Sequence, residues 1–187
     1  MSTSTASRPV GVAGTLRTLY FVRFAFQLVW AVVLILTASA GLGPVSVTLL
    51  LLYPLFDVAA AIVDHRASRT TRPGPLLFVN MGLSLLTAVG LAFAVGSGVS
   101  AVMVIWGVWA VTAGAVQLVV GLLRRRLGGQ WPMILSGGIS VLAGAGFISG
   151  AAKAESVAGI GGYAVLGAVF FLISAIRLGR AARADRA

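Results

Sequence analysis

The sequence contains no cysteine among its 187 residues. Disulfide bonds, thiolate metal sites and cysteine nucleophiles are therefore excluded together, because each of them needs a cysteine sulfur. The same absence leaves the redox compartment of the protein undetermined, since cysteine usage is the feature that would report on it.

Charged residues are also scarce, and acidic residues are the scarcest. Only 10% of the residues are charged, four residues are acidic, and one histidine is present. The few acidic residues and the histidine show no metal-ligand spacing, and the chain has no nucleophile elbow or phosphate-binding loop. The sequence thus predicts a protein that is not an enzyme, with no catalytic residue, no bound metal and no cofactor.

Long apolar stretches are what the chain has in abundance. Hydrophobic residues make up 59% of it and the mean hydropathy is +1.03, outside the usual range of water-soluble domains. The six stretches cover residues 16–40, 44–63, 75–95, 100–123, 131–149 and 157–176. Each is long enough to cross the ~30 Å hydrocarbon core of a bilayer as a helix. The predicted fold is an all-α membrane protein with six transmembrane helices.

The connections between the stretches divide the chain into three helical hairpins. The predicted hairpins are residues 16–63, 75–123 and 131–176, within a transmembrane domain that spans residues 16–178. Residues 1–15 are polar and are predicted to be a disordered cytoplasmic tail. Residues 179–187 are predicted to be a basic cytoplasmic tail.

Basic residues gather at one side of this arrangement. Thirteen of the fourteen are Arg8, Arg17, Arg23, Arg66, Arg69, Arg72, Arg124, Arg125, Arg126, Arg177, Arg180, Arg183 and Arg186. The other side carries only Lys153, which Glu155 offsets. Because short arginine-rich loops resist translocation, both termini are predicted to be cytoplasmic. The expected partners are the bilayer and its anionic headgroups, with no nucleic acid.

The hairpins also resemble one another. A shift of 56 residues places Gly82, Ser84, Leu86 and Gly90 on Gly138, Ser140, Leu142 and Gly146, and a shift of 53 places Gly114 and Arg124 on Gly167 and Arg177. These matches predict parallel repeats, of which the first hairpin has diverged most. Small residues at four-residue spacing predict close packing of helices three and five. Helix one lacks such residues and is expected to face lipid or another subunit.

The segment from Trp106 to Gly150 carries a family resemblance. A helix with Gly114 and Gln117 ends in an arginine cluster, and a Trp-Pro pair then begins a helix with Ser-Gly-Gly. This pattern resembles the HdeD-like family of small bacterial membrane proteins, most clearly over residues 75–180. The resemblance implies a six-helix plasma-membrane protein connected with acid and stress resistance, and it supplies no catalytic residue. Arg23, Asp57 and the Tyr53-Pro54 pair depart from the family pattern.

Asp57 is the outstanding candidate for a functional residue, because a carboxylate within a spanning helix is costly. Arg23 lies at a similar depth in the first helix, which predicts an Arg23–Asp57 ion pair. Other polar side chains at comparable depth form a candidate polar layer, consisting of Gln27, Asn80, Ser84, Gln117, Ser136, Ser140 and Ser174. The layer has two interpretations, a cavity for a small polar ligand or protons and a set of structural contacts, and the sequence favours the structural one.

Two functions follow from these interpretations. The first is a non-enzymatic membrane protein of the stress-resistance type, acting through its presence, a homo-oligomer or a membrane-protein partner. The second is a small channel or transporter for protons or a small polar solute, centred on Arg23 and Asp57.

Overall fold

The computed structural model describes residues 10–38, 41–67, 74–127 and 129–184. Within these ranges the chain forms six long α-helices and no strand. The helices are α1 (Val10–Thr37), α2 (Pro44–Ala67), α3 (Gly74–Ala94), α4 (Val99–Leu123), α5 (Trp131–Gly150) and α6 (Ala158–Ala184). All six are long and apolar enough to cross a membrane, with mean hydropathies of 1.6 to 2.1. The prediction of an all-α fold with six helices long and apolar enough to span a membrane is confirmed for the described residues.

Helices α1 and α6 extend furthest beyond the apolar stretches that predicted them. Helix α1 begins at Val10, so that residues 10–15, assigned to a disordered tail from sequence, form its first turns. Helix α6 continues to Ala184 and includes residues 179–184 of the predicted basic tail. In α6 the drop in hydropathy marks where the helix leaves the apolar region, but the alanines and arginines of residues 179–184 are good helix formers and continue the helix beyond it.

Some sequence predictions lie outside the described residues. They are the N-terminal tail over residues 1–9, the arginines at positions 8, 69, 72 and 186, the end of the first predicted span at residues 39–40, and the last three residues of the C-terminal tail.

The helices form a closed ring. Each helix packs against its neighbours along the chain, and α6 packs against α1. The three most extensive interfaces are α4–α5, α1–α6 and α2–α3, which join different predicted hairpins.

Glycines allow the closest of these approaches, between α4 and α5. A Cβ added to Gly107 would lie 2.7 Å from the carbonyl oxygen of Gly144, and one on Gly114 would lie 2.6 Å from the Cβ of Ser140. A Cβ on Gly137 would lie 2.6 Å from the backbone nitrogen of Leu118. The predicted small-residue strip of α5 is therefore a real packing surface, and glycines of α4 complete it.

Helix α1 is more buried than its lack of small residues suggested. Its Trp30 and Leu34 are 2% and 0% exposed, and α6 supplies the small residues that let it approach. A Cβ on Gly161 would lie 3.2 Å from the carbonyl oxygen of Ala31. The expectation that helix one faces lipid or another subunit overlooked this contact, since a close approach needs small residues on only one partner.

An aromatic cluster fills the ring on one side of its polar residues. The rings of Trp30 and Trp106 stack with centroids 5.5 Å apart, and Tyr53 lies edge-on to Trp106 and Trp109 at 5.4 and 5.6 Å. The Trp30 indole N–H donates to the carbonyl oxygen of Leu49 at 2.7 Å. Trp30, Tyr53, Trp106 and Trp109 are named the aromatic plug below, and all four are buried in the apolar core.

Candidate functional site: a polar cavity inside the helix ring

Polar side chains from all six helices line one cavity with a volume of about 110 Å³. Its wall includes every asparagine, glutamine and tyrosine of the chain, namely Gln27, Asn80, Gln117, Gln130, Tyr20, Tyr53 and Tyr163. Roughly 10–15 Å³ of polar cavity is enough to hold one water molecule, so several waters or a solute of a few heavy atoms fit here. This cavity is the candidate functional site.

The predicted pair Arg23–Asp57 lies in the wall of the cavity. The Arg23 Nη2 atom lies 2.5 Å from Asp57 Oδ1. The other carboxylate oxygen, Oδ2, accepts hydrogen bonds from Asn80 Nδ2 at 2.6 Å and from the Ser84 hydroxyl at 2.9 Å. The Trp109 indole N–H in turn donates to the Ser84 oxygen at 3.0 Å. The carboxylate is thus held by partners from two other helices, and its polar partners compensate for its removal from water.

The sequence did not predict a second ion pair, which lies at one end of the cavity. Both terminal nitrogens of Arg124 donate to Asp64, with Nη1 to Oδ2 at 2.8 Å and Nη2 to Oδ1 at 2.6 Å. Burial alone would lower the pKa of the Arg124 guanidinium, but the hydrogen bonds and negative charge of Asp64 raise that pKa above its usual value. Arg124 therefore carries its charge at any physiological pH.

Both ion pairs line the cavity, at different depths. Arg23 and Asp57 are 16% and 13% exposed although they lie well inside the helices, and Asp64 is 13% exposed, whereas Arg124 at the end of α4 is 3% exposed. Asp57 precedes Asp64 by two helical turns, a separation of ~10 Å at 1.5 Å per residue. The cavity therefore extends from the Arg124–Asp64 pair past Arg23 and Asp57 to the aromatic plug.

Gln27 lies one turn beyond Arg23 on the same face of α1. The side chain is 7% exposed, and its amide oxygen accepts no hydrogen bond from the described residues. The neighbour of that oxygen on α6 is Gly167. A Cβ added to Gly167 would lie only 3.1 Å from the oxygen, so glycine leaves the room that the Gln27 side chain occupies. Gln27 is therefore a buried carboxamide in the cavity wall with unused hydrogen-bonding capacity.

Most of the remaining polar groups in the wall are fixed by the protein. The Tyr163 hydroxyl donates to the Ser140 oxygen at 2.8 Å, and Ser140 donates to the carbonyl oxygen of Ser136 at 2.8 Å. The Gln117 amide nitrogen donates to the carbonyl oxygen of Met133 at 3.2 Å. The Tyr20 hydroxyl donates to the Gln130 amide oxygen at 3.5 Å.

The structure brings together most of the predicted polar layer. Gln27, Asn80, Gln117, Ser136 and Ser140 line the cavity with Arg23 and Asp57, and Ser84 joins them through its bond to Asp57. Ser174 is fully buried but lies outside the cavity wall, and its hydroxyl has no hydrogen-bond partner among the described residues.

Sequence reasoning missed Asp64, Arg124, Gln130 and the three tyrosines as members of the site. Their common signal was available, because all of them are polar residues that a lipid-facing position would disfavour. Asp64 directly follows an apolar stretch and Gln130 directly precedes one, so both resemble loop residues, and Arg124 belongs to an arginine cluster. The tyrosines were passed over because that residue is also common at membrane interfaces.

No protein-family model, curated protein or solved structure matches this chain. Within the described ranges, no group of three or more His, Asp or Glu side chains is placed to hold a metal ion.

Proposed function

We propose that this chain is a non-enzymatic multi-pass membrane protein that binds a small polar solute in its cavity and moves it across the bilayer. The observation that carries the proposal is the gathering of every carboxamide and every tyrosine of an otherwise apolar chain around one space. Helix packing alone does not require this, since the glycine contacts already hold α4 against α5 without any polar side chain. A polar wall lowers the free energy of a polar solute that has left water.

A carrier explains the geometry better than an open channel does. The aromatic plug closes one end of the cavity, and the bidentate Arg124–Asp64 pair lies across the other end. A solute would cross by opening these two ends in turn, as in alternating access. Pro54 lies directly after Tyr53 of the plug and has no N–H to donate within α2, which makes this point of the helix easier to bend.

The orientation of the protein is part of the proposal. The arginine-rich ends of the helices face the cytoplasm of a bacterial cell, with both termini on that side of the plasma membrane. Besides Arg23 and Arg124, which are held in ion pairs, seven arginines at those ends are among the described residues, and they suit the anionic headgroups expected there.

The parallel-repeat arrangement is also proposed, and three contacts support it. Asp57 of α2 contacts Ser84 of α3, Gly114 of α4 contacts Ser140 of α5, and Gly167 of α6 contacts Gln27 of α1. Gln27, Ser84 and Ser140 are separated by 57 and 56 residues, close to the shift found from sequence. The same register thus recurs in the three most extensive interfaces, with a carboxylate in one and glycine in the other two.

The second candidate function is the stress-resistance type implied by the HdeD-like resemblance. It is favoured by the way Asp57 is held, because both of its oxygens are bonded and the pair needs no ligand. In that case the protein would act through its presence in the membrane, as a homo-oligomer or with a membrane-protein partner.

Filling the cavity separates the two candidates. Purified protein is reconstituted into liposomes, and uptake of urea, glycine, nitrate and guanidinium is compared with uptake by protein-free liposomes. Ala113 lines the cavity, whereas Ala115 on the same helix is exposed on the outside of the ring. Transport requires that at least one solute enters faster with protein, that Ala113→Phe removes this uptake and that Ala115→Phe keeps it. If no solute enters faster, transport is rejected and the second candidate remains.

A further inference from the structure

We infer that the solute is a small uncharged amide of the urea type. This inference rests on the proposed function, because it names the class of solute that the cavity would bind. It is carried by the charges of the wall, its carboxamides and its volume.

The charges of the cavity wall cancel in pairs. Arg23 and Asp57 are 2.5 Å apart, and Arg124 and Asp64 form two hydrogen bonds of 2.6 and 2.8 Å. An entering anion would compete with a carboxylate for its arginine, and an entering cation would compete with an arginine for its carboxylate. Either ion leaves one buried charge without compensation, which is strongly unfavourable away from water. An uncharged solute leaves both pairs intact.

The neutral groups of the wall favour an amide among uncharged solutes. All four carboxamides of the chain line the cavity, and a carboxamide both donates and accepts hydrogen bonds. Gln27 has a buried amide oxygen with no partner among the described residues, and Gln117 uses its nitrogen on Met133, which leaves its oxygen for a ligand. The second terminal nitrogen of Arg23 also makes no hydrogen bond to described residues and complements a carbonyl oxygen. These groups match the N–H donors and the carbonyl of a urea-type molecule.

The volume admits a solute of this size. A space of about 110 Å³ holds a molecule of a few heavy atoms with room for accompanying water, since roughly 10–15 Å³ is enough for one water molecule. Urea has four heavy atoms in one plane, which allows it to lie between the carboxamides without displacing the aromatic plug.

Three solutes of the same shape test the inference directly. Urea, guanidinium and nitrate are all planar with four heavy atoms, and they differ in being neutral, cationic and anionic. Proteoliposomes with the unaltered protein are given each solute at tracer concentration, so that a membrane potential does not limit ion uptake. For each solute, the uptake rate with protein is divided by the rate in protein-free liposomes. This ratio is expected to be at least tenfold higher for urea than for either ion, which corresponds to a discrimination of about 1.4 kcal/mol.

Failure of the inference differs from failure of the proposed function. If the protein accelerates the uptake of guanidinium or nitrate as much as that of urea, or more, the solute class is wrong while transport stands. If none of the three enters faster than in protein-free liposomes, and glycine does not either, both proposals fall.

A variant of Gln27 links the selectivity to the cavity. Gln27→Met keeps the length of the side chain and removes its hydrogen-bonding groups, and Leu28→Met is the control because Leu28 points outward and is 37% exposed. Losing one hydrogen bond should slow urea uptake about three- to tenfold in Gln27→Met. Unchanged urea uptake in Gln27→Met, with a fold that melts like the parent, would remove Gln27 and the amide argument from the site.

Discussion

Removing the charges of Arg23 and Asp57 singly and together measures whether the pair holds the first three helices in place. Asp57→Asn leaves the Arg23 guanidinium inside the bundle without its counter-charge and turns one acceptor that Asn80 uses into a donor. Breaking one partner of a buried pair typically costs about 3–5 kcal/mol of unfolding free energy. Both side chains are less than one-fifth exposed, so solvent screening reduces this value little.

Arg23→Gln should be the milder single change. The Asp57 carboxylate keeps its hydrogen bonds from Asn80 and Ser84, and hydrogen bonds to a charged group are worth about 1.5–3 kcal/mol each. The double variant carries no charge at either position, so its loss should be about 2–3 kcal/mol smaller than the sum of the two single losses.

The charge swap Arg23→Asp with Asp57→Arg is expected to restore only part of the lost stability. An arginine at position 57 has no acceptor for the N–H of Asn80 or the hydroxyl of Ser84. An aspartate at position 23 lies on α1 and does not replace the Asp57 carboxylate as their acceptor.

Unfolding in increasing sodium dodecyl sulfate, followed by the fluorescence of the four tryptophans, gives the free energies. Glu155→Gln is the control, since Glu155 is an exposed carboxylate at the other end of the bundle and its loss should change stability little. Additive losses in the double variant would show that Arg23 and Asp57 do not interact, and would refute the reasoning.

Two further predictions concern packing and the second ion pair. Gly137→Ala should lower the unfolding free energy by about 1–3 kcal/mol, because its Cβ would lie 2.6 Å from a backbone nitrogen of α4, whereas Gly138→Ala has nothing within 4 Å and should be neutral or stabilising. Equal melting temperatures of these two variants would contradict the close approach of α4 and α5. Asp64→Asn should lower the melting temperature by several degrees, and adding Arg124→Gln should recover part of the loss; a further fall would argue against a direct pair.

The six helices were predictable because bilayer thickness fixes the length of an apolar segment. The ends of α1 and α6 were not, because hydropathy reports where a chain leaves lipid and not where its helix stops. The tight α4–α5 contact has a signal in the sequence. Gly107, Gly114 and Gly121 are seven residues apart and thus lie on one face of α4.

The candidate site was predictable in part. Arg23 and Asp57 were paired because both are charged residues at a similar depth in neighbouring helices, and two such charges are least costly in contact. Asp64 and Arg124 are 60 residues apart and join helices that do not follow each other along the chain, so no local pattern links them. The cavity itself depends on how six helices leave space between them, which a linear pattern does not encode.

The central claim is that water and small solutes reach a cavity inside the helix ring, and the natural absence of cysteine makes it directly testable. Val116 lines the cavity, whereas Val119, three residues later on the same helix, is 42% exposed on the lipid-facing side. Single Val116→Cys and Val119→Cys variants in liposomes are treated with iodoacetamide, a small neutral amide that alkylates only ionised and therefore hydrated thiols. The account predicts that Cys introduced at 116 is alkylated much faster than Cys introduced at 119. Equal rates at the two positions would contradict it.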